Sequence, residues 1–205
     1  MKVVVIGATG LIGKAVTTLL TDKGHEIIQA SRNTQPSLSL DDPASIEAFY
    51  KATGEVDAVI CTAPQRGGGM GPITGFSDET IDSDTKCKLL GQVNLVRKGL
   101  ANIQPGGVFI LTGGMSGFTV VPKSSIGRML NIALDKFVSG VAPELEDGRR
   151  IVIVHPAPVR EAVIQLGMDG ARFPDAATTA TAYLKAMDGT NTGEPVFVEG
   201  HGPQK

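Results

Sequence analysis

Short apolar runs alternate with stretches of helical periodicity along the chain. Residues 3–6 (VVVI) are continuously β-branched or aliphatic, the pattern of a strand covered on both faces. Residues 11–23 follow with apolar positions at Leu11, Ile12, Ala15, Val16, Leu19 and Leu20, and Gly24 stops the helix that this spacing predicts. Residues 26–30 form a second strand-like run. Asp42 and Pro43 supply an acidic N-cap and a proline at the first helical position, opening a helix that runs to residue 51. Further strands are expected at residues 56–60, 108–111, 151–154 and 195–198, and further helices at 78–102, 124–141 and 174–187.

This alternation predicts an α/β fold: a doubly wound parallel sheet (a Rossmann fold) of about seven strands with helices on both faces. Nothing in the composition marks a linker, so residues 1–205 are expected to form one domain. Ligands of such sheets bind at the carboxyl ends of the strands, where the strand order reverses. The loops after Ile6, Ala30, Ile60, Leu111 and Val154 are therefore the places to examine.

Composition narrows the function. A net charge of −2 gives no basic field for nucleic acid or an anionic membrane, and the absence of Trp argues against base stacking. No apolar run approaches the roughly 20 residues of a membrane span, and no leader pattern opens the chain. Cys61 and Cys87 read as reduced thiols, which fits a cytoplasmic protein. His25, His155 and His201 fall on different elements, so neither a metal site nor a Ser-His-Asp triad is expected.

The stretch Gly7-Ala-Thr-Gly10-Leu-Ile-Gly13 lies between a strand and a helix. Glycine lets the backbone approach a pyrophosphate, and the helix N-terminus adds free N–H groups and a positive dipole end. Gly7, Thr9, Gly10, Leu11, Ile12 and Gly13 are thus candidate cofactor residues. A carboxylate at the end of the second strand would hold the ribose 2′-OH of NAD. Ser31 and Arg32 stand there instead, and a guanidinium suits a 2′-phosphate, so NADP (as NADPH) is preferred to NAD.

GATGLIG, the Ser31-Arg32 pair and the later strands resemble the short-chain dehydrogenase/reductase family in a divergent, atypical form, over nearly the whole chain. The resemblance implies the family's strand order 3-2-1-4-5-6-7. It places Cys61, Thr62, Ala63 and Pro64 beside the cofactor, where the family has Asn-Asn-Ala-Gly. It likewise places Pro156, Ala157, Pro158 and Val159 (in IVIVHPAPV) near the nicotinamide, with Pro156 and Val159 as candidate contacts. The family's reductases use a Tyr-x-x-x-Lys pair and an earlier Ser, because the alkoxide built by hydride transfer must be protonated and stabilised. Aligned through NIALDKF, Gly127 takes the tyrosine position, Asn131 the lysine position, and Gly113, beside Thr112, the serine position. Lys88 replaces the structural Asn of the long helix, and Ser39, or Asp41 in a slipped register, replaces an adenine-side Asp.

The family pattern therefore supplies a cofactor pocket without its usual proton donor. Candidate replacements are Lys88, whose pKa burial would lower toward neutrality, and Thr112 and Ser116 in the substrate-side loop. Ser124 and Ser125 are further loop hydroxyls, and His155 reads mainly as a structural hydrogen-bond partner. QRGGGMGPITGFSDET is expected to form part of a substrate-side rim or lid. Two functions remain open: an NADP-dependent oxidoreductase acting on a small carbonyl or alcohol, and a non-catalytic NADP-binding sensor of the NmrA-like kind. Apolar positions Leu89, Val93, Val96, Met129, Ile132 and Ala133 on the two long helices suggest a homodimer or homotetramer.

Overall fold

The computed structural model describes residues 1–63 and 70–203. Six strands form one all-parallel sheet: β1 (Lys2–Ile6), β2 (Glu26–Ala30), β3 (Val56–Cys61), β4 (Ile103–Thr112), β5 (Arg150–His155) and β6 (Pro195–Phe197), in the order β2-β1-β3-β4-β5-β6. The order reverses between β1 and β3, whose pairing runs from Val3–Ala58 to Ile6–Cys61. That reversal is the crevice where such sheets bind ligands.

Alternation along each strand builds two cores. Val4, Ile6, Val59, Cys61, Phe109, Leu111, Ile151 and Ile153 face one side. There they meet α2 (Pro43–Thr53), α4 (Gly91–Gly99) and α5 (Ser125–Val141). Val3, Val5, Ala58, Ile60, Val108, Ile110, Val152 and Val154 face the other, against α1 (Leu11–Asp22) and α7 (Ala176–Asp188). Each fully buried Val, Leu or Ile contributes roughly 1.5–3 kcal/mol, so these two faces carry most of the driving force.

The sheet has six strands where about seven were expected. Only twelve residues separate Ala30 from Pro43. A further parallel strand would need a crossover of a dozen or more residues besides the strand itself. The segment instead turns at Ser31–Thr34, where the Thr34 hydroxyl oxygen accepts the Ser31 N–H at 2.8 Å, and then buries Leu38 and Leu40. Ser39 and Asp41 hydrogen-bond to each other there, outside any strand.

Asp42 caps α2 as expected, accepting from the Ala44 N–H at 2.9 Å. The helix expected over 78–102 is composite: α3 (Asp78–Asp84), a π-helical stretch (Thr85–Leu90), then α4. The wider turn brings Cys87 and Lys88 both into the interior. Val96, one of the apolar positions that suggest self-association, is instead buried, because α4 lies against the sheet. A short helix, α6 (Arg160–Gln165), follows β5 where only a loop segment was expected.

Gly99 closes α4 against α2. A Cβ there would lie 2.3 Å from the Tyr50 ring, and Tyr50 is itself fixed by donating its hydroxyl to the Leu95 carbonyl at 2.9 Å. Gly99→Ala is therefore expected to destabilise the protein by about 1–3 kcal/mol through overpacking, read as a lower urea midpoint with unchanged slope.

Candidate functional site

The glycine loop turns at Gly7, whose φ of 79° lies in the left-handed region, and the Gly10 N–H donates to the Gly7 carbonyl at 2.9 Å. A Cβ at Gly13 would lie 2.1 Å from that same carbonyl oxygen and 2.8 Å from Thr62 Oγ1. Only glycine lets α1 start so close to β1 and β3. The first intrahelical bond is Lys14 N–H to the Gly10 carbonyl, so the N–H groups of Leu11, Ile12 and Gly13 stay available. No acidic side chain occupies the first turn to neutralise the dipole.

A cleft of about 290 Å³ opens from this loop, lined by Gly7, Thr9, Gly10, Ser31, Arg32, Leu38, Leu40, Ala63 and Cys87. Ser31 and Arg32 stand at its β2 end, with Arg32 exposed. Leu38 and Leu40 form an apolar wall that sequence reasoning missed, although their alternation in SLSL was the available signal. Thr62 is buried and donates its hydroxyl to the Ile6 carbonyl at 2.9 Å, joining β3 to β1 beneath the loop. Cys61, expected beside the cofactor, is fully buried and does not line the cleft, where Cys87 stands instead; burial pushes the Cys61 thiol pKa up to about 11, which makes it inert. Pro64, together with residues 65–69 of the rim stretch, lies outside the described residues.

A polar network lies under the other half of the crevice. Pairing of β3 with β4 ends at Ile60–Ile110, and the amide of Gln92 takes the place of a strand beside Thr112. Gln92 Oε1 accepts the Thr112 N–H at 2.8 Å and Nε2 donates to the Thr112 carbonyl at 3.0 Å. Lys88 Nζ donates to the Thr112 carbonyl at 2.7 Å and to the Gly113 carbonyl at 3.0 Å. Lys88 is buried, which lowers its pKa to about 8, while the neighbouring Cys61 and Cys87 pull it the other way. Gln92 was not anticipated; its spacing of four from Lys88 on a helix was the only sequence signal.

Thr112 does not face the cleft. Its hydroxyl bonds to the Cys61 carbonyl and to Tyr183 Oη at 2.8 Å, deep in the core. Tyr50 and Tyr183 are both buried, in opposite cores, so neither supplies a phenol to the site. Gly127 and Asn131 are buried in α5. Asn131 Nδ2 donates to Ser116 Oγ at 3.0 Å, while its Oδ1 has no partner among the described residues. Ser124 is tied to the Val121 carbonyl at 2.7 Å.

His155 is structural. Burial holds its pKa below the usual value against the pull of Asp135. The neutral ring accepts the Gly114 N–H at Nδ1 (3.0 Å) and donates from Nε2 to Asp135 Oδ1 (3.3 Å). Phe118 packs edge-on to it at 4.7 Å and Phe197 stacks at 5.8 Å. A Cβ at Gly113 would lie 2.3 Å from the imidazole, so the glycine there is set by packing. Pro156 accepts the Met115 N–H at 3.1 Å, and the buried Val159 precedes α6. Among the described residues no cluster of His, Cys, Asp or Glu could hold a metal ion, and no helix is long and apolar enough to cross a membrane.

A parallel sheet with its glycine loop, free helix amides and crevice at the switch point defines a nucleotide-binding Rossmann protein. The model of the NAD dependent epimerase/dehydratase family matches residues 3–85. An uncharacterized oxidoreductase of Staphylococcus aureus strain MW2 is 27% identical over 78% of each chain. The solved protein lin1944 of Listeria innocua is 30% identical, with a TM-score of 0.88 over 97% of this chain and 99% of that one. A solved small-chain dehydrogenase is 25% identical (TM-score 0.82, 99% and 97% covered). Another, in complex with NADPH, is 24% identical (TM-score 0.84, 98% and 97% covered) and shares the fold. The chain belongs to the short-chain dehydrogenase/reductase family.

The depressed Lys88 pKa makes a stability statement. Between about pH 8 and 10.5 the unfolded chain holds a proton on Lys88 that the folded chain has lost, so stability rises with pH across that window. Wild-type protein should gain up to about 3 kcal/mol relative to Lys88→Met between these limits, measured by urea unfolding.

Proposed function

We propose that this protein is an NADPH-dependent oxidoreductase acting on a small carbonyl or alcohol with non-standard catalytic residues in place of a Tyr-x-x-x-Lys pair. The observation that carries this reading is the crevice at the switch point, with free helix amides at one end and Arg32 at the other. The NADPH complex of a small-chain dehydrogenase with this fold supports the same choice of cofactor. The residues fit the group. The amides of Leu11, Ile12 and Gly13, with Gly7, Thr9 and Gly10, would take the pyrophosphate. Ser31 and Arg32 would take a 2′-phosphate, and Leu38 and Leu40 the base. Thr62, Ala63, Pro156 and Val159 would border the nicotinamide half, with Lys88 buried nearby under the Thr112–Gly113 backbone.

Bound NADPH would supply the hydride that reduces a carbonyl carbon. The chain's own part is to handle the oxygen. Ser116 Oγ accepts from Asn131, which leaves its own hydrogen free to donate to a substrate oxygen. A substrate oxygen would take that proton from Ser116 Oγ, and solvent would return one to the serine. Lys88 holds a positive charge beneath the same loop, on the Thr112 and Gly113 carbonyls, which favours the negative charge developing on that oxygen.

The burial of both tyrosines favours a second reading, a non-catalytic NADP(H)-binding sensor. For self-association into a homodimer or homotetramer, the exposed Leu90 and Met129 on the helical face are the supporting feature.

Fluorescence titration is expected to give tighter binding of NADPH than of NADH. Arg32→Glu should weaken NADPH about 10- to 100-fold and leave NADH nearly unchanged; equal affinities in the wild type would refute the Arg32 assignment. In an aldehyde, ketone and quinone panel, Ser116→Ala should lower kcat by roughly 10²-fold with NADPH affinity kept. Lys88→Met should abolish turnover in the same way. No turnover on any compound, with NADPH still bound, would favour the sensor.

A further inference from the structure

We infer that the substrate carries a carboxylate as well as its carbonyl group, and that Arg128 of α5 holds that carboxylate beside Ser116. This rests on the oxidoreductase reading above and names its substrate class.

Contact places Arg128 at the site. Its Nη1 donates to the Ser116 carbonyl at 3.0 Å, and Asn131, one helical turn further on, donates to the Ser116 hydroxyl at 3.0 Å. Two side chains from one face of α5 thus meet the same loop residue. The guanidinium stands within a residue's length of the hydroxyl assigned to the substrate oxygen.

Its partners set it apart from the other half-buried arginines among the described residues, Arg149, Arg150 and Arg160. Arg149 pairs with Asp147 at 2.7 Å and donates to the Ile103 carbonyl at 2.9 Å. Arg150 donates to the carbonyls of Ala186, Asn191 and Met187. Arg160 donates to the Phe173 carbonyl at 3.1 Å and lies 3.6 Å from Asp175. Arg128 has its bond to Ser116 and no carboxylate partner among the described residues. A guanidinium offers a fork of donors that matches a carboxylate, and one neutral acceptor leaves most of that fork unused.

The surrounding charge has the same sign. From Gly113 to Leu134 the only charged residues are Lys123 and Arg128. Arg128 ends the first turn of α5, a 17-residue helix with no acid in that turn. A cation there opposes the helix dipole, at a cost of roughly 0.3–1 kcal/mol. The Ser124 hydroxyl bonds to the Val121 carbonyl and leaves α5 without a side-chain cap. Lys88 adds positive charge beneath Gly113. The first acid along α5, Asp135, is already engaged by His155 at 3.3 Å and Lys136 at 3.4 Å. An anion bound on Arg128 would offset this accumulated charge. A single guanidinium matches one carboxylate better than a doubly charged phosphate.

The test is calorimetric titration of unreactive probes into the protein saturated with NADPH. Oxamate and succinamate are compared with their uncharged alkyl counterparts, propanamide and pentanamide. At least one carboxylate should bind about 10- to 100-fold tighter than its counterpart. Arg128→Gln, which keeps a donor for the Ser116 carbonyl and removes the charge, should erase that preference with NADPH affinity unchanged. Equal or tighter binding of both uncharged amides in the wild type would overturn the inference, and this comparison needs no variant to fold. A preference that survives in Arg128→Gln would overturn it too, as would inorganic phosphate binding tighter than either carboxylate. Light scattering that shows a dimer in the wild type and a monomer in Arg128→Gln would assign the guanidinium to a second copy and overturn it as well. Failure to bind NADPH would strike the oxidoreductase reading itself; the same probes titrated into cofactor-free protein then decide the anion site separately.

Discussion

Thr112 is where the layers of the molecule are joined, and the geometry of a parallel sheet explains why a joint is needed there. The peptide groups of a central strand must all be paired, yet β3 stops pairing with β4 at Ile60–Ile110. Two residues further along β4, the buried backbone of Thr112 would be left unpaired on that side. Gln92 supplies both missing hydrogen bonds, Lys88 adds a second donor to the carbonyl, and the threonine hydroxyl reaches across to Tyr183 of α7. The helices on both faces are thereby fixed to one point at the carboxyl edge. The loop carrying Ser116 springs from that point, and the His155–Asp135 pair holds its next peptide.

A buried lysine is a demanding way to complete this network. Its charge is taken out of water, and two carbonyls with neighbouring sulfur atoms offset only part of that cost. Gln92, a neutral side chain, already pairs both backbone groups of Thr112. The lysine adds charge, placed below the loop where substrate oxygen would gather electrons, and that is the argument for a role beyond architecture.

Much of this arrangement could be read from the residues in order. The β-branched runs at Val3 and Ile151, the Asp42–Pro43 helix start and the glycine loop are local signals, and each resolved into the element it implied. The burial of Lys88 was also within reach, because its alignment placed it on the helix beside the site. Gln92 was not, because its partners lie twenty residues away and depend on where β3 ends. The commitment of Thr112 to the core was hidden for the same reason: Tyr183 meets it only once α7 packs on the sheet. The missing outer strand was a matter of counting, since the residues between β2 and α2 are too few to cross over and return. Ser116 could be named only from its loop, and the bond it accepts from Asn131 on α5 was not legible in the chain, because it depends on how α5 packs.

The shortened crossover after β2 has an effect at the periphery of the sheet. It leaves β2 as one boundary strand, only five residues long and opening on Glu26, while β6 at the other boundary has three residues and begins with a proline. Unpaired strand backbones are templates on which foreign chains can add themselves, and brevity, charge and proline are the means by which proteins discourage this. By losing an outer strand without lengthening its new border, this chain keeps the economy of a small sheet and resists edge-to-edge aggregation.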